Sequence, residues 1–274
     1  GSSVPGGTTG AGRLPVRAIK TTTISILVVG LLAGSVFGVV AQDGDARAVE
    51  PESILLVGNS FTWDSVEAQV AALAAAEEPP RELIADAWRQ PYASLRDHYQ
   101  LSELTEGFGA LRSIREGGYD AVVLQGDILA HVEHDIAPFL EYARLFDEEI
   151  RGAGAATVFF MTWSYERLDW IDLDGIVEAH RQLEAELGAR IAPVGVAMEN
   201  ALAERPDLAM LGLDMEHASD AGTYLGAATI YATLFDRSPE GLAYARHITP
   251  EDAAFLQRIA WETVQDWQAG ATAE

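Results

Sequence analysis

From residue 53 onward, short apolar runs alternate with longer amphipathic runs, and this alternation constrains the fold more than any other feature of the sequence. The apolar runs, which predict strands, are residues 53–57, 83–88, 120–124, 156–162 and 190–194. Strands that are apolar on both sides are buried on both faces, which is typical of a parallel sheet covered by helices. The sequence therefore predicts an α/β fold, a three-layer α/β/α sandwich around five parallel strands.

The amphipathic runs between and after the strands predict helices. These runs are residues 64–78, 101–116, 136–151, 168–187, 196–204, 220–235 and 250–268. Right-handed crossovers between parallel strands bring the carboxyl ends of the strands to one edge of the sheet, where ligands bind in such folds. Functional residues are therefore expected directly after predicted strands.

The N-terminal region has the order of an export signal. Residues 1–23 carry three basic and no acidic side chains, residues 24–41 are uncharged and mostly apolar, and the chain then becomes acidic. A basic segment, an apolar segment and small residues at a cleavage site characterise a signal peptide, and 18 apolar residues can also span a bilayer as an uncleaved anchor. We expect residues 1–41 to be a bacterial-type signal peptide or membrane anchor, residues 42–52 a linker, and residues 53–274 one domain that is secreted or anchored outside the cytoplasm.

Charge and cysteine content exclude several functions. The chain has 42 acidic and 18 basic residues, a net charge of −24, and no cysteine. Such a surface repels nucleic acid and anionic membranes, so no nucleic-acid partner is expected, and contact with a membrane only through an uncleaved N-terminal segment. Thiolate catalysis, disulfides and cysteine-ligated zinc are excluded.

Ser60 directly follows the first predicted strand, within the segment Gly58-Asn59-Ser60. The glycine permits a tight turn and a helix is predicted a few residues later, which places the hydroxyl at the sheet edge near a helix N-terminus. A serine there can be a nucleophile while its own N–H stabilises the developing oxyanion. A serine that only caps the helix is the alternative interpretation.

A candidate base lies far downstream, in Asp214-Met215-Glu216-His217. Neutral histidine has a pKa suited to accept a proton from serine, and a carboxylate is needed to hold its tautomer and to stabilise its cationic form. A turn brings residues three apart together, so Asp214 can serve His217. A surface turn without chemistry is the alternative interpretation.

Together, these two segments resemble the SGNH/GDSL hydrolase superfamily. That family opens with Gly-Asp-Ser or Gly-Asn-Ser after the first strand and closes with Asp-x-x-His before the last helices; this chain has Gly58-Asn59-Ser60 and Asp214-x-x-His217. It is most similar to the branch with a GNSFT opening and an HxSxxGTYLxA-like close, and the resemblance spans about residues 53–240. The resemblance implies a flavodoxin-like sandwich with Ser60 as nucleophile, His217 as general base and Asp214 as its orienting carboxylate.

The middle of the family pattern differs in this chain. The superfamily takes one oxyanion donor from a glycine N–H after the second strand and another from an asparagine side chain after the third. In this chain, the segment after the second predicted strand, residues 88–95, has no glycine. The segment after the third predicted strand, Leu124-Gln125-Gly126, has no asparagine. The backbones of Tyr92 and Ala93 and the side-chain amide of Gln125 are the candidate replacements, beside the N–H of Ser60 itself.

The leading hypothesis is a serine ester hydrolase that works through an acyl-enzyme on an acetylated saccharide or a lipid-like ester, without cofactor or metal. Asn59, Trp63 and Trp163 are candidate substrate-lining residues because they follow strand ends. The main alternative is a binding module that has lost turnover. A phosphate- or nucleotide-binding protein is a weaker alternative, since the loop after the first strand lacks a glycine-rich cradle and a lysine.

Overall fold

Five parallel strands form the centre of the fold. They are β1 (Ser53–Gly58), β2 (Ile84–Arg89), β3 (Ala121–Gln125), β4 (Ala156–Phe160) and β5 (Arg190–Ala192). Their order across the sheet is β2-β1-β3-β4-β5, and every neighbouring pair is parallel. The predicted α/β fold with a five-stranded parallel sheet is therefore confirmed.

The structure is a computed structural model that describes residues 50–105, 107–126 and 134–271, all within the compact unit Ala46–Glu274. The predicted export segment (residues 1–41) and most of the predicted linker (residues 42–52) lie outside the described residues. Among the residues described, no helix combines the length and the apolar character needed to cross a membrane.

Eight helices of the described residues cover the sheet. They are α1 (Val66–Ala75), α2 (Leu95–Leu104), α3 (Ala110–Gly117), α4 (Ala137–Gly152), α5 (Leu173–Leu187), α6 (Val194–Glu204), α7 (Asp220–Phe235) and α8 (Pro250–Ala271). One layer contains α2, α3, α4 and α5, which contact one another in sequence, and the other contains α1, α6, α7 and α8. These two layers on the sheet make the predicted three-layer sandwich.

The core lies on both faces of the sheet. β1 and β3 are buried almost throughout, as their continuous apolar sequences predict. Helix α7 is buried from Ala221 to Phe235, because it packs against α1, α6, α8 and β5. Its apolar residues therefore surround the whole helix, unlike the single apolar stripe of a surface helix.

The predicted helix over residues 101–116 is wrong, since two helices, α2 and α3, occupy this region. Helix α2 begins earlier, at a capping box in which Ser94 and Asp97 bond each other's backbone N–H groups. It ends before Gly109, which has a φ of 113° and approaches Ser102 so closely that a Cβ would lie 2.3 Å from the serine Oγ. Helix α5 likewise begins at Leu173 instead of residue 168, because the Asp172 side chain caps it.

Candidate active site

The turn that carries Ser60 begins where β1 ends. Residues Ser60–Thr62 form a single 3-10 turn, and the Asn59 side-chain oxygen caps it by accepting the N–H of Phe61 at 3.0 Å. The Asn59 amide nitrogen donates to the carbonyl of Ala93 at 3.1 Å. Asn59 is 1% exposed. Its side chain therefore holds the turn, and the predicted substrate-lining role of Asn59 does not fit the structure.

Three further side chains hold the same turn from neighbouring elements. Gln125, at the end of β3, accepts the backbone N–H of Asn59 on its side-chain oxygen at 2.8 Å. The His98 ring on α2 donates from Nε2 to the carbonyl of Gly58 at 3.0 Å, and Arg89 at the end of β2 donates from Nε to the carbonyl of Thr62 at 2.8 Å. Gly58 is required here for space: a Cβ would lie 2.9 Å from the Gln125 Oε1. The backbone around Ser60 is thus fixed by three different elements.

Asp214 and His217 lie on the loop between α6 and α7. The loop is closed by an isolated antiparallel bridge between Leu211 and Ala218 and by a hydrogen bond from the N–H of Gly212 to the carbonyl of His217 at 2.7 Å. One carboxylate oxygen of Asp214 accepts the backbone N–H groups of Glu216 and His217, at 3.1 and 3.0 Å. The turn therefore fixes the carboxylate beside the imidazole, as the Asp-x-x-His spacing predicts.

The side chains of Ser60, His217 and Asp214 form one hydrogen-bonded series. Ser60 Oγ lies 2.9 Å from His217 Nε2, and His217 Nδ1 lies 2.7 Å from Asp214 Oδ2. The hydrogen bond from His217 is the largest cause that lowers the pKa of Asp214, to about 2, and the two backbone N–H groups add to it. Asp214 is therefore ionised and accepts a proton from Nδ1 of His217, and in a neutral imidazole this arrangement leaves Nε2 as the acceptor that faces the Ser60 hydroxyl.

Aromatic rings lie against this series on one side. Phe61 contacts the His217 ring at a centroid distance of 5.4 Å, and Trp163 contacts Phe61 at 5.2 Å. Trp163 is buried and its Nε1 donates to the carbonyl of Glu216 at 2.9 Å. Trp163 also borders a cavity of about 390 Å³ with an apolar lining that includes Met198, Met210 and Leu211. Ser60, Asp214 and His217 are not among the residues that line this cavity, so a substrate-lining role for Trp163 stays a prediction, while its contact with the loop that carries His217 is observed.

The candidate oxyanion donors differ in their availability. Among the described residues, the backbone N–H groups of Ser60 and Tyr92 have no hydrogen-bond acceptor. The N–H of Ala93 donates to the carbonyl of Gln90 at 3.2 Å, so the predicted donor role of Ala93 does not fit the structure. The side-chain oxygen of Gln125 accepts the N–H of Asn59, whereas its buried Nε2 has no hydrogen-bond partner among the described residues.

Tyr92 has a backbone conformation that favours glycine. Its φ is 59°, in the left-handed region, and its side chain is 70% exposed. Non-glycine residues with such a φ are uncommon. The tyrosine therefore occupies, in a glycine-like conformation, the segment where the superfamily pattern has its donor glycine.

Four large hydrophobic side chains are exposed on the loops that meet at Ser60, and we call them the apolar rim: Trp63, Tyr92, Leu213 and Met215. The N–H of Trp63 bonds the carbonyl of Ser60 at 3.2 Å. Leu213 and Met215 flank Asp214, and Tyr92 precedes the carbonyl that binds Asn59. Exposed apolar side chains around a site are typical of a binding surface, and a substrate-lining role for Trp63 stays a prediction.

Sequence reasoning missed the residues that support the site. His98 and Arg89 contact the Ser60 turn, and Arg167 forms a paired salt bridge with Glu216, the residue before His217. None of them belongs to a motif, and their partners lie 27 to 49 residues away along the chain. Within the parts of the chain that the structure describes, no group of three or more His, Cys, Asp or Glu residues is arranged to hold a metal ion.

Comparison with solved structures shows what this architecture is similar to. A DUF4886 family protein from Bacteroides uniformis superposes with a TM-score of 0.63 at 19% identity, over 78% of this chain and 94% of that one. A putative SGNH hydrolase from Slackia heliotrinireducens gives 0.54 at 25% identity, over 66% and 98%. The acetyl xylan esterase AlAXEase gives 0.50 at 13% identity, over 66% and 98%.

No protein-family model matches the sequence, and comparison with curated protein sequences gives no match. The assignment therefore depends on the fold, on the segments Gly58-Asn59-Ser60 and Asp214-x-x-His217, and on the contact that the fold creates between them. By these three observations together, the chain is similar to the SGNH/GDSL hydrolases in its fold and in these two segments.

Proposed function

We propose that this protein is a serine hydrolase of carboxylic esters, with Ser60 as nucleophile, His217 as general base and Asp214 as the carboxylate that orients it. The observation that carries the proposal is the continuous series of hydrogen bonds Ser60–His217–Asp214, with distances of 2.9 and 2.7 Å. Residues separated by 157 positions meet there, which a capping serine and a surface turn would not require.

The arrangement supports a two-step reaction. Ser60 Oγ attacks the ester carbonyl carbon as His217 Nε2 takes the hydroxyl proton, and the carbonyl oxygen becomes an oxyanion. The intermediate collapses, the bond to the alkoxy group breaks, and His217 gives its proton to the departing alcohol. Water then attacks the acyl-enzyme, with His217 again as base, and releases the acid and free Ser60. Asp214 stabilises the imidazolium in both steps.

Three donors can stabilise the oxyanion in this scheme. Among the described residues, the N–H groups of Ser60 and Tyr92 and the amide N–H groups of Gln125 have no acceptor. The loss of one such donor typically costs about 10²–10³ in kcat. The proposal therefore assigns the oxyanion site to Ser60, Tyr92 and Gln125, without Ala93.

The proposed substrates are an acetylated saccharide or a lipid-like ester, met outside the cytoplasm by a secreted or membrane-anchored enzyme. The apolar rim supports both, since Trp63 and Tyr92 can stack on a sugar ring and Leu213 and Met215 can contact an acyl chain. The net charge of −24 opposes a strongly anionic substrate or nucleic acid.

A fluorophosphonate probe and short p-nitrophenyl esters test the proposal. The wild-type protein is expected to be labelled and to hydrolyse the esters, and Ser60→Ala is expected to do neither. Ser238→Ala, which removes a hydroxyl from the loop between α7 and α8, is the matched control and is expected to behave as wild type. Hydrolysis that survives in Ser60→Ala would exclude Ser60 as the nucleophile.

The second candidate is a binding module that keeps the sandwich without turnover. Its support is the replacement of the family's two oxyanion donors, by Tyr92 with its left-handed backbone and by Gln125 with its oxygen engaged. This candidate predicts that the wild-type protein resists the fluorophosphonate probe, because Ser60 would not be activated.

A further inference from the structure

Glu216 is held from three sides, and it directly precedes the candidate base His217. Its side-chain carboxylate receives two hydrogen bonds from the Arg167 guanidinium, one of them from Nε at 2.8 Å. Its carbonyl accepts the Trp163 indole N–H at 2.9 Å, and its N–H donates to Asp214 at 3.1 Å. Both external contacts come from the loop between β4 and α5, which contributes no member of the Ser60–His217–Asp214 series.

The loop that carries Asp214 and His217 needs such a support because its tip lies in solvent. Leu213, Asp214 and Met215 are all exposed, and Met215 has a left-handed φ of 57°. The hydrogen bonds that close the loop are internal and fix its shape, but they do not fix its position relative to Ser60. That position is set by contacts to the body of the domain, which include those of Glu216, the packing of His217 on Phe61, and the core packing of Met210, Leu211 and Ala218 at the base of the loop.

The ion pair between Arg167 and Glu216 also balances the charge of the Glu216 carboxylate. The Glu216 side chain is only 14% exposed while that of Arg167 is 60% exposed. Without the guanidinium, the partly covered carboxylate of Glu216, the residue before His217, would lack a countercharge. A planar, bidentate pair neutralises this charge and fixes the geometry at once.

We propose that Arg167 and Trp163 form a positioning latch that holds Glu216 and thereby keeps His217 in line with Ser60. This inference rests on the proposed function of the triad, and it assigns a role to two residues that neither touch Ser60 nor belong to the family motif. The latch acts on the alignment of the base. Its loss is therefore expected to lower kcat while KM changes little.

The test compares Arg167→Ala, Arg167→Lys and a matched control, Arg144→Ala. Arg144 forms an exposed pair with Glu186 on helices α4 and α5, so its removal breaks the same kind of contact away from the triad. With p-nitrophenyl acetate we expect Arg167→Ala to lower kcat about 10-fold with KM within about 2-fold. Arg167→Lys should recover part of kcat, and Arg144→Ala should match wild type. Equal urea midpoints for all variants would show that the fold is intact.

A proton NMR measurement separates the latch from the proposed hydrolysis. The His217 Nδ1–H that donates to Asp214 is expected to give a far-downfield resonance, which Asp214→Asn should abolish. This resonance should broaden through exchange with water in Arg167→Ala and persist in Arg144→Ala, whether or not any ester is cleaved. Full retention of both the resonance and kcat in Arg167→Ala, or an equal kcat loss in Arg144→Ala, would overturn the proposal. A normal resonance without ester hydrolysis would instead count against the proposed function.

Discussion

The side-chain oxygen of Gln125 accepts the backbone N–H of Asn59 at 2.8 Å, so the end of β3 holds the residue that precedes Ser60. The nitrogen of the same amide is buried and has no partner in the part of the chain that the structure describes. The oxygen of this side chain supports the backbone beside Ser60, and the proposed function assigns its nitrogen to the oxyanion.

Two substitutions of Gln125 separate these contributions. Gln125→Leu leaves the buried N–H of Asn59 unpaired and is expected to lower the free energy of unfolding by about 1–3 kcal/mol. Gln125→Glu keeps an acceptor for Asn59 but removes the amide donors, so a smaller stability loss is expected together with a kcat decrease of about 10²–10³. Urea unfolding and steady-state kinetics measure both. A Gln125→Glu enzyme with wild-type kcat would exclude the amide nitrogen as an oxyanion donor.

The left-handed backbone of Tyr92 predicts an unequal response to two substitutions. Glycine adopts a φ of 59° without strain and keeps the N–H, so Tyr92→Gly should retain kcat on p-nitrophenyl acetate and have nearly unchanged stability. Valine is β-branched and is strongly disfavoured at positive φ, so Tyr92→Val should be less stable than Tyr92→Gly by roughly 1–3 kcal/mol. Thermal unfolding of the two variants, each with its kcat, checks this order. Equal stability of Tyr92→Gly and Tyr92→Val would mean that the backbone at residue 92 leaves the left-handed region without a cost in free energy.

Two buried histidines predict a loss of stability in mild acid. Burial lowers the pKa values of His98 and His180 to about 4, from an ordinary value of 6.5. Between these values the unfolded chain binds protons that the native chain does not, so stability is full above about pH 6.5 and falls as the pH decreases toward 4. Each histidine contributes a slope of up to about 1.4 kcal/mol per pH unit.

His180→Leu isolates one of these slopes. Among the described residues, the ring of His180 hydrogen-bonds the carbonyl of Ile176 alone, within its own helix, so the substitution removes no hydrogen bond to the candidate site. Urea unfolding at several pH values between 4.5 and 7 should give a shallower dependence in His180→Leu than in wild type. Parallel curves for the two proteins would show that His180 titrates normally in the folded state.

The apolar rim predicts a preference for longer acyl chains. A methylene that is fully removed from water contributes about 0.8 kcal/mol, so kcat/KM should rise roughly two- to fourfold per methylene from p-nitrophenyl acetate to hexanoate. Leu213→Ser should lower the hexanoate-to-acetate ratio, because Leu213 is fully exposed in the rim. Leu104→Ser is the control, since Leu104 is also highly exposed but lies at the far end of α2. A flat series, with higher activity on acetylated saccharides, would favour the sugar substrate.

Much of the fold was predictable because the sheet is buried on both faces. The order of strands and helices follows from apolar runs such as that of β3 and from helix ends marked by glycine, as at Gly188. The prediction failed over residues 101–116, where the amphipathic pattern continues through the break at Gly109. Gly107, Gly109 and the Ser94–Asp97 capping spacing were visible signals of that break.

The candidate site was predictable only in part. Ser60, Asp214 and His217 stand in short local patterns, and parallel strands bring such patterns to one edge. Asn59 and Ala93 were interpreted wrongly because their exposure and N–H partners depend on tertiary contacts, here with each other and with Gln90. Arg89, His98 and Arg167 act through partners far along the chain, so no local pattern indicates them.

Ser60 and His217 are anchored in different ways, and under the proposed mechanism this has a consequence for heat inactivation. The Ser60 turn is tied by buried or part-buried hydrogen bonds to β2, β3 and α2, whereas the exposed tip of the His217 loop is attached mainly through the Arg167–Glu216 ion pair, one indole contact and the packing of His217 on Phe61. Segments with few buried contacts open at lower free energy than the core. On heating, we therefore expect the proposed esterase activity to be lost reversibly, because the His217 loop opens and moves the imidazole away from Ser60. This loss should occur at temperatures where circular dichroism still reports an intact sheet.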